Sequence, residues 1–427
     1  MAENRRLEHG MDDPITITDR ARRQAQLALR RQKCPVAPTG SGTWFLADRS
    51  SVEKALREVE TFVGSFGTIE GIAQDEQILQ WIPEPRHGRL RRIINSVMAP
   101  HRIAAASPFV TELAGRLARE AVREGRLDIV PAFVDPIPTQ VIAHVLGIPT
   151  GDWELFGRYS DELLERQGTH REPRPMSEIH PEFATYVEGL VADRRRAVDP
   201  PDDMITRFIR AEIDGEELSD AAIRTHVMVL IIAGNETTRN LLGNVIATIA
   251  RDPALYSRLR NDAAAIPAVI EESLRIDTPV QYLMRTCAHA ADFAGTVVPA
   301  GDRVVVGVGS ANLDEGVFAN ADIFDRSAHC GRWSNVAHGR TASHLEPGVL
   351  GSWPAFVVGR TLRVNQGSEL GGRRLGGRVG LVRTRRRGAA HGIAPVVSGG
   401  TIRQPPRLRS LQSTMASREV WSALQGS

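Results

Sequence analysis

The feature that most constrains this chain is a long segment with the sequence of one helix crossing a protein core. Ser219 is a favourable N-cap residue, and Pro253 ends the helical pattern. At about 1.5 Å per residue, a helix between them would be roughly 50 Å long. Residues 227–233 in its middle are apolar on every side. We therefore expect this helix to be surrounded by the other elements of a large core.

A polar cluster, residues 234–238, follows directly after this apolar stretch. Burying such groups costs free energy unless they find partners. Gly234 thins the helix so that a ligand can approach its backbone, and the Thr237 hydroxyl can bond to the carbonyl of Ala233 and open the helical ladder. We predict a bulge beside a ligand. The alternative is a helix that emerges into solvent at this point.

The preceding and following segments predict a mainly α fold. Residues 113–122 and 183–191 repeat apolar side chains at helical spacing, and residues 141–147 form an apolar run that ends in glycine. Strand signals come late: residues 292–301 have the pattern of a tight hairpin, and residues 303–308 that of a further strand. The sequence thus predicts a single large helical domain with a small β part.

The composition of the chain changes abruptly at Arg326. Residues 326–427 contain 16 Arg and 3 Glu but no Lys or Asp, so they carry +13, and the preceding residues carry −11, which gives the whole-chain +2. We therefore divide the chain into a folded body, residues 1–325, and an Arg/Gly-rich tail, residues 326–427. The tail has little apolar area to bury, and we predict that it is disordered.

The sequence also disfavours several classes of protein. Cys34, Cys287 and Cys330 are too widely spaced for a disulfide framework or a structural zinc site. The charged N-terminus has no apolar core segment, and no run of eighteen apolar residues occurs. Neither a signal peptide nor a membrane anchor is therefore expected, which favours the cytoplasm.

Several motifs in order resemble those of the cytochrome P450 family. Residues 233–238 resemble its oxygen-activation motif, and Glu272 with Arg275 resembles its glutamate-x-x-arginine pair. His87 and Arg91 share a helical face and resemble the cations that hold haem propionates. In isolation these pairs would indicate only a solvated ion pair and a basic helix. Their order, continued by residues 277–280, Arg285, 298–301, 311–314 and 322–325, carries the resemblance.

The resemblance implies a cytochrome P450-like domain that binds haem (iron protoporphyrin) and O2. Its activity would be that of a monooxygenase hydroxylating an apolar small molecule. Electrons would come from a ferredoxin and an NAD(P)H-dependent ferredoxin reductase, with no membrane partner. Residues 62–81, 229–232 and 280–283 would form the apolar substrate walls.

The resemblance also implies roles for individual residues. Thr237 is expected to hydrogen-bond the bound oxygen, and Glu236 to relay protons to it. Glu272 and Arg275 would tie the proximal face together. The residues expected to bind the cofactor are His87, Arg91 and Arg285, which would neutralise the propionates, and Ala233 and Gly234, which would border the haem.

The chain departs from the family where the axial ligand is expected. The family's loop has a phenylalanine-glycine signature and then a cysteine followed two positions on by glycine, whose thiolate binds the iron. By position this loop should lie around residues 337–351, which contain no cysteine. Cys330 is the nearby thiol, but it comes early and lacks the lead-in. The sequence therefore leaves the metal ligand unknown.

Three interpretations of the tail follow. A frameshift in GC-rich DNA would produce its Arg- and Gly-rich composition and would remove the cysteine loop. A basic arm that binds nucleic acid or an acidic partner is the rival, but the tail replaces the cofactor loop instead of following a complete enzyme. The third interpretation is a haem-free pseudoenzyme or binding scaffold.

Overall fold

The computed structural model describes residues 14–64, 71–97, 99–124, 128–167, 174–213 and 215–326, and the backbone of three short strands further on. Apart from Arg326 and those strands, the tail predicted to be disordered lies outside the described residues. The described part is mainly helical with small sheets, as the sequence predicts. The boundary after residue 325 stays a prediction.

The helices of the described part, in chain order, are α1 (Arg20–Lys33), α2 (Arg49–Arg57), α3 (Arg86–Val97), α4 (Pro100–Ala105), α5 (Ser107–Glu124), α6 (Pro136–Leu146), α7 (Trp153–Gln167), α8 (Met176–Ile179), α9 (Pro181–Arg196), α10 (Met204–Ile209), α11 (Asp220–Arg251), α12 (Pro253–Asn261), α13 (Ile266–Ile276) and α14 (Val308–Ala311). Short 3₁₀ helices span Gln74–Glu76, Leu79–Trp81, Thr150–Asp152 and Ala263–Ala265, and a π-helical turn spans Val130–Val134.

The strands are β1 (Val36–Pro38), β2 (Trp44–Leu46), β3 (Phe62–Gly64), β4 (Glu212–Ile213), β5 (Glu216–Glu217), β6 (Leu283–Cys287), β7 (Ala291–Phe293), β8 (Thr296–Val298), β9 (Arg303–Val306), β10 (Leu381–Arg383), β11 (Ile393–Val397) and β12 (Gly400–Thr401). The largest sheet has the order β1-β2-β9-β6-β3, in which only β2 and β9 run parallel. Strands β7 and β8 form the expected hairpin.

Helix α11 confirms the prediction of one long helix through the core. The Ser219 side chain accepts a hydrogen bond from the Ala222 amide, and 32 helical residues follow before Asp252. Helices α6 and α9 pack along it. The apolar residues of its middle belong to the main hydrophobic cluster, with Val227, Met228 and Ile231 fully buried. Burial on nearly every side is why this segment has no polar face in the sequence.

The predicted bulge in α11 is absent, and α-helical structure continues through residues 233–238. The Thr237 hydroxyl does donate to the Ala233 carbonyl at 2.7 Å, and the Thr238 hydroxyl to the Gly234 carbonyl at 2.8 Å. A carbonyl oxygen has two lone pairs, so it can accept a hydroxyl without giving up its amide partner. The hydroxyls are therefore satisfied by the ladder and do not open it.

A buried ion pair fastens α13 to the segment that precedes the tail. Arg275 donates to both carboxylate oxygens of Glu272, at 2.9 and 2.7 Å, and both residues are buried. The remaining guanidinium donors bond to main-chain carbonyls, at 3.1 Å to Asn312, 2.6 Å to Ala321 and 3.1 Å to Ile323. The Asp325 amide donates to Glu272 at 2.8 Å. This clamp agrees with the structural role expected of the pair.

Replacing Arg275 by lysine should destabilise the fold, because an ammonium cannot form the two parallel bonds to Glu272 and also reach three carbonyls. We expect a loss of about 3 kcal/mol in the free energy of unfolding, measured by urea denaturation. The matched control is Arg166→Lys, because Arg166 pairs with Glu162 at the surface. That control should change the free energy by less than about 0.5 kcal/mol. Equal effects of the two substitutions would contradict the clamp.

His226 is a titratable side chain buried in the first half of α11. Its exposed fraction is 3%, and Nδ1 has no hydrogen-bond partner among the described residues. Burial, reinforced by Arg86 and opposed by Asp75, lowers the pKa of His226 from 6.5 to about 4. The imidazole is therefore neutral in the folded protein at pH 7.

The stability of the chain should consequently fall in acid. Above pH 6.5 neither state protonates His226, whereas between pH 6.5 and 4 only the unfolded chain takes up the proton, so the folded state loses up to about 3 kcal/mol. His226→Gln should remove this part of the pH dependence in urea denaturation. The control is His101→Gln, which removes an exposed histidine and should leave this part of the pH dependence in place. A His226→Gln profile that coincides with that of His101→Gln would refute the assignment.

Candidate functional site

One stripe of the core helix α11 remains accessible. Val229, Ala233 and Thr237, each four residues apart, are partly exposed, whereas most other side chains in this half of the helix are buried. Residues at this spacing share one helical face. Buried residues of α11, among them His226 and Asn240, continue beyond both ends of these three residues. We infer that the stripe faces a recess inside the core and not the outer surface. This argues against the alternative of a helix that emerges into solvent at this point.

The opposite face of the polar cluster is bonded to neighbouring helices. The Asn235 amide donates to the Ser160 hydroxyl of α7 at 2.9 Å and accepts from the Thr139 hydroxyl of α6 at 3.2 Å. Arg239 pairs with Asp161 of α7 at 3.0 Å and with Asp135, which precedes α6, at 3.1 Å. These partners explain how polar residues are buried there. The sequence analysis did not predict these partners. The signal for them was that Asn235 and Arg239 are four residues apart and therefore share one helical face.

Of the two predicted catalytic residues, Thr237 lies on the stripe and Glu236 lies at its edge. Thr237 is on it, with its hydroxyl anchored on the Ala233 carbonyl. Glu236 is 8% exposed and lies at the edge of the same face, since it is seven residues after Val229. Of the two residues predicted to border the cofactor, Ala233 is on the stripe. Gly234 is turned away from it and buried.

His87 lies at the start of α3 with one ring nitrogen already engaged. Its Nδ1 is 2.9 Å from the carbonyl oxygen of Leu79, so Nδ1 must carry a hydrogen and donate. Nε2 is then the nitrogen that can meet another group. A neutral ring would accept at Nε2, and a protonated ring would donate there. The bond to Leu79 therefore fixes which atom His87 presents.

The sheet register brings Arg285 toward the same place. Arg285 on β6 pairs with Gly64 on β3. A Cβ at Gly64 would lie 1.9 Å from the Gln80 carbonyl oxygen, so only glycine permits this approach of β3 to the backbone beside Leu79. The guanidinium of Arg285 is thereby placed close to the 3₁₀ helix that carries the partner of His87.

Arg285 and Arg91 are close enough to repel each other. Burial first, and then the charge of Arg91, lowers the pKa of Arg285. Among the described residues no carboxylate forms an ion pair with either guanidinium, and Arg285 donates to the main-chain carbonyl of Met284 at 2.8 Å. Two neighbouring cations without an acidic partner are a natural site for an anion. Arg91 is thus near Arg285, and His87 lies one turn before Arg91 on α3. That these three residues bind the cofactor stays a prediction.

These residues fit the carboxylate end and one face of a haem. Cationic or ionisable side chains are the partners that two propionates would need, and the accessible stripe of α11 is apolar except for Thr237. The axial ligand is a different matter. Cys330 and residues 337–351 lie outside the described residues, and no group of three or more potential metal ligands occurs within the described ranges.

Cys287, one of the two described cysteines, does not have the chemistry of a thiolate ligand. Cys287 is buried in the core of the sheet, where its thiol donates to the His289 carbonyl at 2.9 Å. Burial and the charge of Asp302 raise the pKa of this thiol. Cys34 caps the end of α1. The structure therefore assigns no axial donor in the part of the chain that it describes.

The predicted substrate walls are only partly accessible. Val229 and residues 280–283 are partly exposed, as expected of a lining. Phe62 is instead 2% exposed, with its ring 5.8 Å from that of Phe293 in the core of the sheet. Its place in the wall was therefore wrong, because β3 directs this side chain beneath the sheet. Residues 65–70 lie outside the described residues. No helix of the described ranges has the length and apolarity to cross a membrane.

Comparison with known proteins agrees with this geometry. A family model described as cytochrome P450 matches residues 171–341. The chain is 31% identical to the erythromycin C-12 hydroxylase of Saccharopolyspora erythraea over 336 residues, which cover 77% of this chain and 82% of that relative. It is 29% identical to the methyl-branched lipid omega-hydroxylase of Mycobacterium tuberculosis over 340 residues, which cover 75% and 79%.

The fold is also similar to that of solved cytochrome P450 structures. The open structure of cytochrome P450 Eryk from S. erythraea superposes with a TM-score of 0.73 at 28% identity, covering 91% of this chain and 98% of that one. The helices, the small sheets, the core helix with its accessible stripe and the buried glutamate-arginine clamp thus occur together with extended similarity in sequence. The chain belongs to the cytochrome P450 family of monooxygenases.

Proposed function

We propose that this chain is a haem-dependent monooxygenase scaffold that hydroxylates an apolar small molecule with O2. The observation that carries the proposal is the accessible stripe of α11, because it presents one hydroxyl, that of Thr237, on an otherwise apolar face inside the core. A haem bound against this stripe would supply oxygen activation and the oxidation of a carbon–hydrogen bond. The residues of the chain supply orientation, proton control and exclusion of water.

Thr237 is suited to holding a proton near that face. Its hydroxyl hydrogen is committed to the Ala233 carbonyl, so the lone pairs of Oγ1 are free to accept a hydrogen bond from the recess. An acceptor fixed by a 2.7 Å bond cannot rotate away. Oγ1 therefore orients a proton donor, such as water, at a defined point above the apolar stripe.

Glu236 is the proposed source of that proton. Its carboxyl group follows Ala233 by three residues, at the edge of the accessible face, and is 8% exposed. A carboxyl group at the border between a buried recess and the neighbouring helices can exchange a proton with water on one side and release it on the other. Glu236 would thus deliver the proton, and Thr237 would hold it in position.

His87, Arg91 and Arg285 form the proposed carboxylate cradle. Nε2 of His87, in its protonated form, and the two guanidinium groups would each donate to propionate oxygens. Two carboxylates would also relieve the repulsion between the two arginines. Ala233, with its small side chain, would allow close approach of the flat cofactor face. Gly234 would let the cofactor approach by making the helix thin at this point, and not by contacting the cofactor itself.

We also propose a substrate class and redox partners for this chain. The relatives named above are hydroxylases of erythromycin and of methyl-branched lipids, so a shared reaction accompanies different substrates. We propose an apolar small molecule bound against Val229 and residues 280–283. A ferredoxin and an NAD(P)H-dependent ferredoxin reductase would provide electrons, and the cytoplasm is the proposed location.

The role of Thr237 can be tested in haem-loaded protein that consumes O2, with the cysteine loop supplied if the parent chain requires it. Thr237→Ala should lower product formed per electron pair by about tenfold and release hydrogen peroxide instead, because the proton is no longer held in place. Thr238→Ala is the matched control, since the buried Thr238 hydroxyl bonds to Gly234 on another face. Unchanged coupling in Thr237→Ala, or equal uncoupling in both variants, would refute the assignment.

We further propose that the chain as it stands holds haem weakly or without a thiolate. Residues 337–351 lack a cysteine, and the thiol of Cys287 is kept protonated by burial. A reduced carbon monoxide difference spectrum should therefore lack the long-wavelength Soret band of a thiolate ligand. Haem binding itself should weaken in Arg91→Gln, measured by titration of the Soret band.

The same spectrum separates the alternatives. A thiolate band that disappears in Cys330→Ser would make Cys330 the axial ligand and overturn the proposal of a missing thiolate. A chain that takes up no haem at all would favour the haem-free scaffold. Spectra of the parent chain and Cys330→Ser that agree, both with haem bound, are the expected result.

A further inference from the structure

Two tyrosines lie with their rings in contact between α7 and α9. The ring centroids of Tyr159 on α7 and Tyr186 on α9 are 6.1 Å apart, and the Phe183 ring lies 5.3 and 6.5 Å from them. The roles proposed for the accessible stripe involve none of these side chains. Because the π-systems of rings in contact are electronically coupled, an electron can pass from one tyrosine to the other.

Tyr186 differs from the other tyrosines in the partner of its hydroxyl group. Of the four tyrosines of the chain, it alone donates a hydrogen bond to a carboxylate, that of Asp152, at 2.9 Å. Tyr282 donates to a main-chain carbonyl at 3.3 Å. Tyr256 is 43% exposed, and within the described ranges neither Tyr256 nor Tyr159 donates its hydroxyl to a protein group.

A carboxylate is the partner that makes a phenol easy to oxidise. Removal of an electron makes the phenol hydroxyl strongly acidic, so the oxidation is favourable only when the proton can leave. A carboxylate oxygen can keep that proton, whereas a main-chain carbonyl cannot. The proton of Tyr186 has to move only along the existing bond to Asp152, which is within the range for proton transfer. Tyr186 should therefore lose an electron more readily than the other tyrosines.

The surroundings keep Asp152 available as the proton acceptor. Among the described residues no cation forms an ion pair with its carboxylate. Arg194, whose charge reaches Tyr186, is bound instead to Asp203 at 2.7 Å. Burial, and then Asp152, raise the pKa of the Tyr186 phenol, so the hydroxyl keeps its proton until an electron is removed.

The two tyrosines lie between the core helix and the outside. Tyr159 is adjacent in sequence to Ser160, whose hydroxyl accepts from Asn235 of α11 at 2.9 Å. The thickness of α11, about 10–12 Å, separates this contact from the accessible stripe, and electrons cross such distances in proteins. Tyr186 and Asp152 are both partly exposed, so an oxidised Tyr186 could be reduced again from solution.

We propose that Tyr186 is a redox-active tyrosine with Asp152 as its proton acceptor, and that it removes oxidising equivalents that are not used on a substrate. A one-electron oxidant takes one electron from the phenol, and the hydroxyl proton moves to Asp152. The products are a neutral tyrosyl radical, a protonated Asp152 and the reduced oxidant. One electron from outside, together with the proton of Asp152, restores the phenol. The inference rests on the proposed function in one respect, that haem and O2 form the oxidant in the recess.

Tyr159 is the intermediate in this transfer and not its end point. Its hydroxyl has no acceptor among the described residues, so an oxidised Tyr159 would keep a strongly acidic proton. It would therefore take an electron from Tyr186, whose proton has Asp152 as its acceptor. The radical accordingly collects on Tyr186, away from α11.

Flash oxidation of the haem-free, full-length chain tests the pair without any enzymatic activity. A flash in the presence of tris(bipyridine)ruthenium and a cobalt(III) quencher generates ruthenium(III), a one-electron oxidant, in unbuffered salt solution at neutral pH. Electron paramagnetic resonance of samples frozen after the flash measures the yield of tyrosyl radical. Tyr186→Phe should lower this yield about fivefold or more, because the remaining phenols have no carboxylate to take the proton. Tyr282→Phe is the matched control and should leave the yield unchanged.

The role of Asp152 is tested in the same way. Asp152→Asn keeps the shape of the side chain but cannot keep a proton, so the yield should fall as far as in Tyr186→Phe. Asp193→Asn, which removes an exposed carboxylate from the helix that carries Tyr186, is the control and should have no effect. An undiminished yield in Tyr186→Phe would overturn the site. An undiminished yield in Asp152→Asn would overturn Asp152 as the acceptor.

The parent chain decides the question if these variants fail to fold. A nitroso spin trap present during the flash bonds to the tyrosyl radical, and mass spectrometry of the peptides locates the adduct. An adduct mainly on Tyr186 supports the proposal. Adducts confined to Tyr256 or Tyr282 refute it.

The connection to the recess is tested in protein loaded with haem and given hydrogen peroxide without substrate. The expected result is a tyrosyl signal that Tyr186→Phe removes and that forms several-fold more slowly in Tyr159→Phe. A signal independent of both residues, or a chain that takes up no haem, would overturn the recess as the source of the oxidant while leaving the pair. Haem uptake is read from the Soret band, so failure of the proposed monooxygenase function would be seen separately.

Discussion

The need to satisfy polar groups in the middle of a buried helix shapes this fold more than any other constraint. Asn235 and Arg239 can be buried only because α6 and α7 supply hydroxyl and carboxylate partners. These bonds fix the rotation of α11 about its own axis. Once that rotation is fixed, Val229, Ala233 and Thr237 must lie on the accessible face. The packing of one face thereby determines the chemistry presented on the other.

A similar dependence joins the anion site to the backbone around it. His87 presents Nε2 because Leu79 takes Nδ1, and Arg285 reaches the same region because Gly64 lets β3 approach Gln80. The cations come from a helix and a strand nearly two hundred residues apart in sequence. The repulsion between these cations opposes folding, so the fold tolerates it only because contacts elsewhere in the protein stabilise the folded state. In the proposed anion site, the charges of two bound carboxylates would offset this repulsion.

Sequence reasoning succeeded where the signal was local. The cap at Ser219 and the apolar run before Ala233 specify the core helix. The four-residue spacing of His87 and Arg91 predicts that they share a face of α3, and their part in the anion site stays a proposal. The predicted bulge was wrong for a local reason, because the Ala233 carbonyl accepts both the Thr237 hydroxyl and a backbone amide. Other features were missed because the partners lie far apart in the sequence. The ion pair of Arg224 and Glu76, 148 residues apart, gives no pattern within either segment. Phe62 was misplaced because strand register, not hydrophobicity, directs its ring.

The clamp of Glu272 and Arg275 has a consequence for how the chain can be altered. Its last contact is the Asp325 amide, and Arg326 adds only an ion pair to Asp252 at the surface. Among the described residues, the contacts that lock α13 are therefore all made before the composition changes. Residue 326 is a natural junction for chimeras, at which the downstream segment of a relative could be joined without disturbing the hydrogen bonds behind it. Cofactor ligation could in this way be exchanged as a module, separately from the architecture that receives it.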